Sequence, residues 1–407
     1  MNAVSTKVAT NNNQFRVNRN NIIFSLGYII WSLKYLLPLL KIFQNININN
    51  NYYNIFRFLG LFLCFFAFTL NLKALNKIPF KRFLIGAILL GYVFINNGIL
   101  ARFYLYLDTT ILIFLAVNLD FRKILKFLTV FYSLFYVIVI ASSLLGFIPS
   151  YTYKFLGRSR ESLGFIWSSW PAHGFLYVAA AYTILKNKNL TYINIVLLEL
   201  INVFLFIKTD TKSPFYLLSA YLVFTFLIKL FHISLNPYRL FKIIFLSLIP
   251  LLSLVIIFLS LNAEKFPYIN NFSSNRLSLG LKAINIYGFH PLGKTVFFNI
   301  KADLKQTPAN LAKYFYIDSS YLQYLILFGY ISLIIFIIAN FMLQKRMLES
   351  KNLYLTLAFS LVALDGFFDP QFIQTYYNFF ILFLATLFNP QNNSLKVFNK
   401  STRIYKI

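Results

Sequence analysis

Charge is what this chain has least of. Only 12% of its 407 residues are charged, about half the share of an ordinary soluble domain. Acidic residues are the scarcest, 11 against 38 Lys and Arg. A water-soluble fold is excluded on these terms, because 49 Phe and 28 Tyr cannot be hidden without leaving large apolar patches on the surface. Cysteine occurs once, as Cys64 inside an apolar run, which rules out an internal disulfide and argues against redox chemistry. Histidine occurs three times, at His173, His232 and His290, dispersed and without the HExxH or paired-cysteine spacing of a zinc site. No glycine-rich phosphate loop follows a strand pattern, so ATP-driven work by this chain is not expected. Neither a metal nor a cofactor is expected.

What the chain has in abundance is apolar sequence, 59% of all residues. It falls into runs of the length that crosses a bilayer. Twelve such runs are read: 22–40, 55–72, 83–97, 104–118, 124–147, 163–184, 192–207, 215–231, 241–261, 321–343, 353–367 and 377–388. The expected fold is therefore all-α and polytopic, a single integral membrane domain over 1–407. No small-residue cleavage site follows the first run, so that helix is expected to be retained. The Asn-rich tract 45–51 reads as a solvated loop.

The net charge of +27 could suggest nucleic acid, but its placement points to topology. With the N-terminus inside, all seven inside segments are basic and hold twenty-two Lys and Arg, from Lys7, Arg16 and Arg19 to Lys396, Lys400, Arg403 and Lys406. The five short outside loops hold seven: Lys41, Arg102, Lys154, Arg158, Arg160, Lys208 and Lys212. This positive-inside alternation never slips, so both termini are expected inside and nucleic acid is not a partner. One connection, 262–320 between the ninth and tenth runs, is far longer than the rest and falls outside. Its aromatic content and the helix-like stretch Arg276–Tyr287 predict that it folds against the bundle.

Candidate chemistry gathers on that outer side, where most acidic residues fall. Arg158 and Arg160, in Gly157-Arg158-Ser159-Arg160-Glu161, run against the positive-inside tendency and suit bidentate phosphate binding. A solvated loop with a Glu161 pair is the plain alternative. Lys212 could add charge to the same site or simply snorkel. In the long connection, Arg276 opens the amphipathic stretch, and Gly288-Phe289-His290-Pro291-Leu292-Gly293-Lys294 forms a turn that could present His290. Asp318 precedes an apolar run, as a helix N-cap or as a catalytic carboxylate. Asp365 and Asp369 are the closest acidic pair, too generic to argue a metal. Lys34 and Glu199 lie deepest in the apolar runs, as ion sites or as paired and snorkelling groups. Asp108 lies near the outer end of its helix.

This ordered set resembles the Wzy-type O-antigen and capsule polymerases and the O-antigen ligases. The matching pieces are Arg160-Glu161-Ser162-Leu163-Gly164-Phe165, Lys212-Ser213, Asn275-Arg276-Leu277, His290-Pro291-Leu292-Gly293 and Asp318-Ser319-Ser320-Tyr321-Leu322 with Gly329. They cover most of the chain, and their order and sidedness carry the likeness. Ligases commonly show His-Asn where this chain has Asp318-Ser319, which favours a polymerase. The resemblance implies an enzyme of the bacterial cytoplasmic membrane that joins polyprenyl-diphosphate-linked oligosaccharides. Its chemistry would be metal-independent, alongside a flippase and a chain-length regulator. Asp318 and His290 are then the catalytic candidates, and Arg158, Arg160, Lys212, Arg276 and Lys294 the diphosphate-binding ones. The alternatives are a glycan ligase and a flippase or exporter of the lipid-linked unit. A transporter should show internal repeats and midplane polar sites, and no repeat is evident.

The charge alternation makes a direct prediction. In a variant lacking Cys64, cysteine at Asn271 should label in intact cells, and cysteine at Asn76 only after permeabilisation. The reverse pattern would overturn the sidedness.

Overall fold

A computed structural model describes residues 2–45, 50–71, 79–155, 158–232, 239–299, 314–388, 395 and 398, and the chain is an all-α bundle of the polytopic membrane type. In order, its helices are α1 (Asn2–Leu36), α2 (Asn50–Thr69), α3 (Phe80–Val93), α4 (Tyr104–Leu115), α5 (Phe121–Leu144), α6 (Trp170–Lys186), α7 (Tyr192–Thr209), α8 (Lys212–Leu230) and α9 (Arg239–Leu261). The short α10 (Pro267–Phe272) and α11 (Arg276–Tyr287) lie in the long connection, followed by α12 (Ser320–Glu349) and α13 (Leu353–Phe368). A small hairpin, β1 (Thr152–Phe155) and β2 (Arg158–Glu161), pairs antiparallel before α6.

Among the described residues, eight helices are long and apolar enough to cross a membrane: Arg19–Leu39, Tyr52–Thr69, Phe80–Leu100, Phe121–Leu144, Tyr192–Thr209, Lys212–Leu230, Phe241–Leu261 and Ser320–Glu349. Tyr104–Leu115 and Leu353–Phe368 are shorter apolar helices. Large apolar side chains stand exposed on the outer helices, among them Ile55, Phe58 and Phe62 on α2, Ile193 and Val196 on α7, and Leu251 and Leu254 on α9. An exposed apolar belt of this extent suits hydrocarbon, not water. By contrast α6 is enclosed: His173, Gly174, Leu176, Tyr177 and the run Val178–Ala181 are all buried. Its small residues allow close approach, and a Cβ on Gly174 would lie 1.9 Å from the Tyr136 ring.

The first eleven expected runs overlap helices, the sixth (163–184) only from Trp170 onward, and the twelfth differs. Residues 377–388 form a nine-residue 3-10 helix, Phe379–Leu387. At about 2 Å per residue it reaches about 18 Å, well short of the hydrocarbon thickness. Phe379–Thr386 are buried throughout, so this segment lines the inside of the bundle. Asn378 fastens its start, accepting from Phe380 N at 3.2 Å and donating to Phe372 O at 2.6 Å.

The long connection is anchored at a break in a helix. Gly329 leaves helical geometry inside α12, at φ 81 and ψ 168, freeing backbone groups within the bundle. Segment 290–294 takes them up: Tyr330 N donates to His290 O (2.9 Å), Ile331 N to Pro291 O (3.3 Å), and Lys294 N to Leu327 O (3.0 Å). Asn96, in the π-helical turn Phe94–Leu100, completes the join. Its Oδ1 accepts from Gly293 N at 2.5 Å, and its Nδ2 donates to Phe328 O at 2.9 Å and Ser332 Oγ at 2.8 Å. Irregular backbone survives in such a bundle only where protein groups satisfy it. A Cβ at Gly329 would meet Pro291 O at 2.6 Å, which is why this junction needs glycine. Further along, α11 packs on α9 and α12 through buried Leu277, Gly280, Ala283 and Ile284, and the bridge Asn299–Phe315 closes the connection.

Asn96→Leu tests the junction. It strands the Gly293 N–H and the Phe328 C=O, at about 1–3 kcal/mol for each buried group. The thermal midpoint in detergent should fall, and proteolysis within 262–299 should speed up. Unchanged values for both would show that the junction does not hold the connection.

Candidate functional site

Two helices present titratable side chains to each other with the same spacing. His173 and Tyr177 lie four apart on α6, and Asp365 and Asp369 lie four apart at the end of α13. Residues so spaced share a helix face, so the pairs register where α6 packs against α13. His173 Nδ1 lies 3.0 Å from Asp365 Oδ1, His173 Nε2 lies 3.3 Å from Asp369 Oδ1, and Tyr177 donates to Asp365 Oδ2 at 3.1 Å. Asp369 stands just outside the helix. Pro370 follows it, cannot continue the helix, and biases the residue before it to extended geometry, seen here as φ −133 and ψ 149.

Three other elements close on Asp369. Ser213, in the first turn of α8, donates to Asp369 Oδ2 at 2.9 Å. Arg276, the first residue of α11, donates to the same oxygen through Nη1 at 2.9 Å, with its Nε 3.8 Å from Asp318 Oδ2. Ser320, at the start of α12, donates to the Asp369 carbonyl at 2.7 Å. Exposure grades across the cluster: the side chains of Asp365, His173 and Asp369 are 0%, 1% and 3% exposed, those of Asp318 and Arg276 16% and 25%. Asp318 and Arg276 are thus the reachable rim of a dry network.

The electrostatics follow from this packing. Burial works against ionisation of Asp369, yet the Arg276 guanidinium and His173 outweigh it and hold the carboxyl below its usual range. Burial likewise opposes the charge on Arg276, and Asp369 with Asp318 overcomes it, raising the guanidinium above its ordinary value. The cluster gathers three carboxylates around one guanidinium and one imidazole. Such a site suits a hydroxyl that must lose a proton better than a phosphate.

His173, Asp365 and Asp369 place ligating atoms within 4.8 Å of one another, the donor set that could hold a metal. The imidazole, however, lies between the two carboxylates. The second oxygen of Asp369 is taken by Arg276 and Ser213. The donors face one another instead of a common centre, although His173 Nε2 and Asp365 Oδ1 lack aligned hydrogen bonds.

Of the residues expected from sequence, Arg276 and Asp318 join this cluster. Asp318 is not the helix cap: the N-cap of α12 is Ser319, and Asp318 faces Arg276 instead. Lys212 is exposed at the start of α8 beside Ser213. Arg160, on β2, donates through Nε to Thr209 O at 3.1 Å, and Lys208 pairs with Glu161 at 3.1 Å. The hairpin is thereby held to the turn between α7 and α8. Arg158 stands on the same strand, its side chain outside the described residues.

His290 and Lys294 lie elsewhere. The His290 ring contacts the Tyr287 carbonyl and lies 3.4 Å from Lys294 Nζ. That is the far end of α11 from Arg276, about 16 Å along a helix of this length. Segment 290–294 serves the α12 junction described above. Sequence reasoning passed over His173 and set aside Asp365 with Asp369. The available signal was a histidine and two carboxylates placed in or beside apolar helices, where ionisable groups are rare.

Arg276→Gln isolates the charge network. Leaving Asp369 buried beside a neutral partner costs about 3–5 kcal/mol, so the thermal midpoint at neutral pH should drop. In the wild type the depressed Asp369 contributes stability above about pH 4, lost as pH falls below it. In the variant that carboxyl gains its proton more readily, so the deficit should narrow as pH falls. A deficit independent of pH would mean lost packing and not lost charge. No protein family, curated protein or solved structure matches this chain.

Proposed function

We propose that this protein is a membrane glycosyltransferase. In this reading it is a polysaccharide polymerase that joins polyprenyl-diphosphate-linked repeat units at the outer face of a bacterial cytoplasmic membrane, without a metal. One observation carries the reading. Asn275-Arg276-Leu277, Asp318-Ser319-Ser320-Tyr321-Leu322 and Lys212-Ser213 are three of the pieces behind the resemblance, and all meet at Asp369, with Ser213 and Asp369 156 residues apart.

In this proposal Asp318 receives the acceptor sugar. It is the carboxylate at the partly exposed rim, and the Arg276 guanidinium, 3.8 Å away, orients it. An ionised carboxylate is a weak base, so it takes the acceptor hydroxyl proton late, as the new C–O bond forms at the anomeric carbon. The bond from that carbon to the diphosphate oxygen breaks, and its electron pair leaves with the diphosphate. Asp369, Asp365, His173 and Tyr177 position Arg276 from behind and touch no substrate. Cations must meet the departing diphosphate, and Arg160 and Lys212 are at the same end of the bundle.

The buried His173–Asp365 pair also favours a second reading, a proton-coupled exporter of lipid-linked units, since intramembrane His and Asp serve as proton relays. Carrier-lipid analysis of a deletion strain complemented with Asp318→Asn separates the two. Polymer should fall on the order of a hundredfold, with single repeat units accumulating on the outer leaflet. Inward-facing units would favour the exporter, and near-normal polymer would remove Asp318 from the chemistry.

A further inference from the structure

A second ionic cluster sits at the same end of the bundle, with cations in excess of carboxylates. Asp108 on α4 is fully buried and grips Arg57 of α2 in a fork, Nε to Oδ2 and Nη2 to Oδ1, both at 2.7 Å. Trp31 Nε1 and Tyr35 OH add donors to Oδ2 at 3.0 and 3.3 Å, so the carboxylate is saturated. Lys34, three residues after Trp31 and next to Tyr35, lies within electrostatic reach of Arg57 and Asp108, and its ammonium hydrogen-bonds the neutral Asn54 side chain. Two cations thus share one carboxylate, and the cluster carries an unbalanced positive charge.

Depth makes that excess costly. Lys34, Arg57 and Asp108 each lie four or five residues from the same end of Arg19–Leu39, Tyr52–Thr69 and Tyr104–Leu115, about 7 Å below the helix ends. A lone positive charge at that depth is unfavourable unless an anion reaches it. The way in is apolar. Lys34 and Arg57 are only partly buried, and beside them Tyr52, Ile55, Phe58 and Tyr104 are exposed. An anion arriving there must travel with hydrocarbon.

The two clusters are joined by a polar shelf. Tyr35 stacks on Tyr376 with centroids 5.2 Å apart, and Tyr376 donates to Gln374 Oε1 at 2.9 Å. Tyr316 lies next to Gln374 and stands beside Asp318 and Asp369. Tyr376 is buried, while Tyr35, Gln374 and Tyr316 are partly exposed, and aromatic rings beside an amide are the kind of surface a sugar packs on.

We propose that Lys34 and Arg57 form the subsite for the diphosphate of the polyprenyl-linked acceptor, with the hydrocarbon along the exposed face of α2 and the acceptor glycan crossing the Tyr35–Tyr376 shelf so that its far hydroxyl reaches Asp318. This rests on the glycosyl-transfer reading and adds a carrier site at residues that the sequence did not mark for it. Lys34 is the informative position, because Arg57 also holds Asp108 and its loss would disturb folding.

Binding to the purified full-length protein in detergent, followed by native mass spectrometry and thermophoresis, tests this with polyprenyl diphosphate, phosphatidylglycerol and inorganic pyrophosphate. The wild type should prefer polyprenyl diphosphate. Lys34→Gln should weaken that binding about tenfold, the loss of one charge-assisted bond, with the thermal midpoint kept and Lys34→Arg restoring affinity. Lys34→Gln binding as tightly as wild type would overturn the subsite. Phosphatidylglycerol binding as well as polyprenyl diphosphate, and weakened equally, would reduce Lys34 to a general lipid contact and overturn it too. Pyrophosphate matching polyprenyl diphosphate would remove the lipid from the proposal. A wild type that binds no polyprenyl diphosphate would instead remove the glycosyl-transfer reading itself.

Discussion

An ionised carboxylate shut away from water survives only if cations and donors reach it, and the arrangement around Asp369 answers that need. One oxygen faces His173, and the other takes Arg276 and Ser213. Its backbone carbonyl holds Ser320. Four elements distant in the chain, α6, α8, α11 and the start of α12, therefore have to be in register at the end of α13. Removing any partner leaves charge in low dielectric, a larger penalty than most single contacts can offset. This one carboxylate thus couples the packing of the bundle to the placement of the long connection.

That connection is held at both ends of α11 by different physics. At Arg276 the hold is ionic. Beyond Tyr287 it is backbone hydrogen bonding, where segment 290–294 and Asn96 satisfy the groups freed by the break at Gly329. The break also lets α12 begin at the charge network and still run on as a membrane-length helix. The carbonyl of His290 is needed at this junction, where it accepts from Tyr330 N.

The two ionic clusters divide labour in the function we propose. The carboxylate-rich one, with Asp318 at its rim, favours a group that gives up a proton. The cation-rich one, with Lys34 and Arg57, favours the diphosphate that anchors the acceptor to its carrier. The shelf of Tyr35, Tyr376, Gln374 and Tyr316 lies between them.

The sequence by itself determined that the chain is a bundle of apolar helices. Lipid-facing helices obey local hydropathy, and runs such as 192–207 and 241–261 reappear as α7 and α9 with little change. It also marked Arg276–Tyr287 as a helix and Arg276 and Asp318 as candidates, because a charged residue beside an apolar helix is conspicuous. What it could not convey depends on which helices become neighbours. An Asp365–Asp369 spacing is commonplace until α6 brings His173 and Tyr177 to the same face. Asp318 reads as a cap until Arg276 is seen beside it. Residues 377–388 read as a spanning helix because composition alone sets that expectation, yet enclosure by the bundle makes them a short 3-10 segment. Hydropathy is a property of each stretch of chain, so it survives in the sequence. Charge pairing is a property of distances across the fold, and only the tertiary structure decided those.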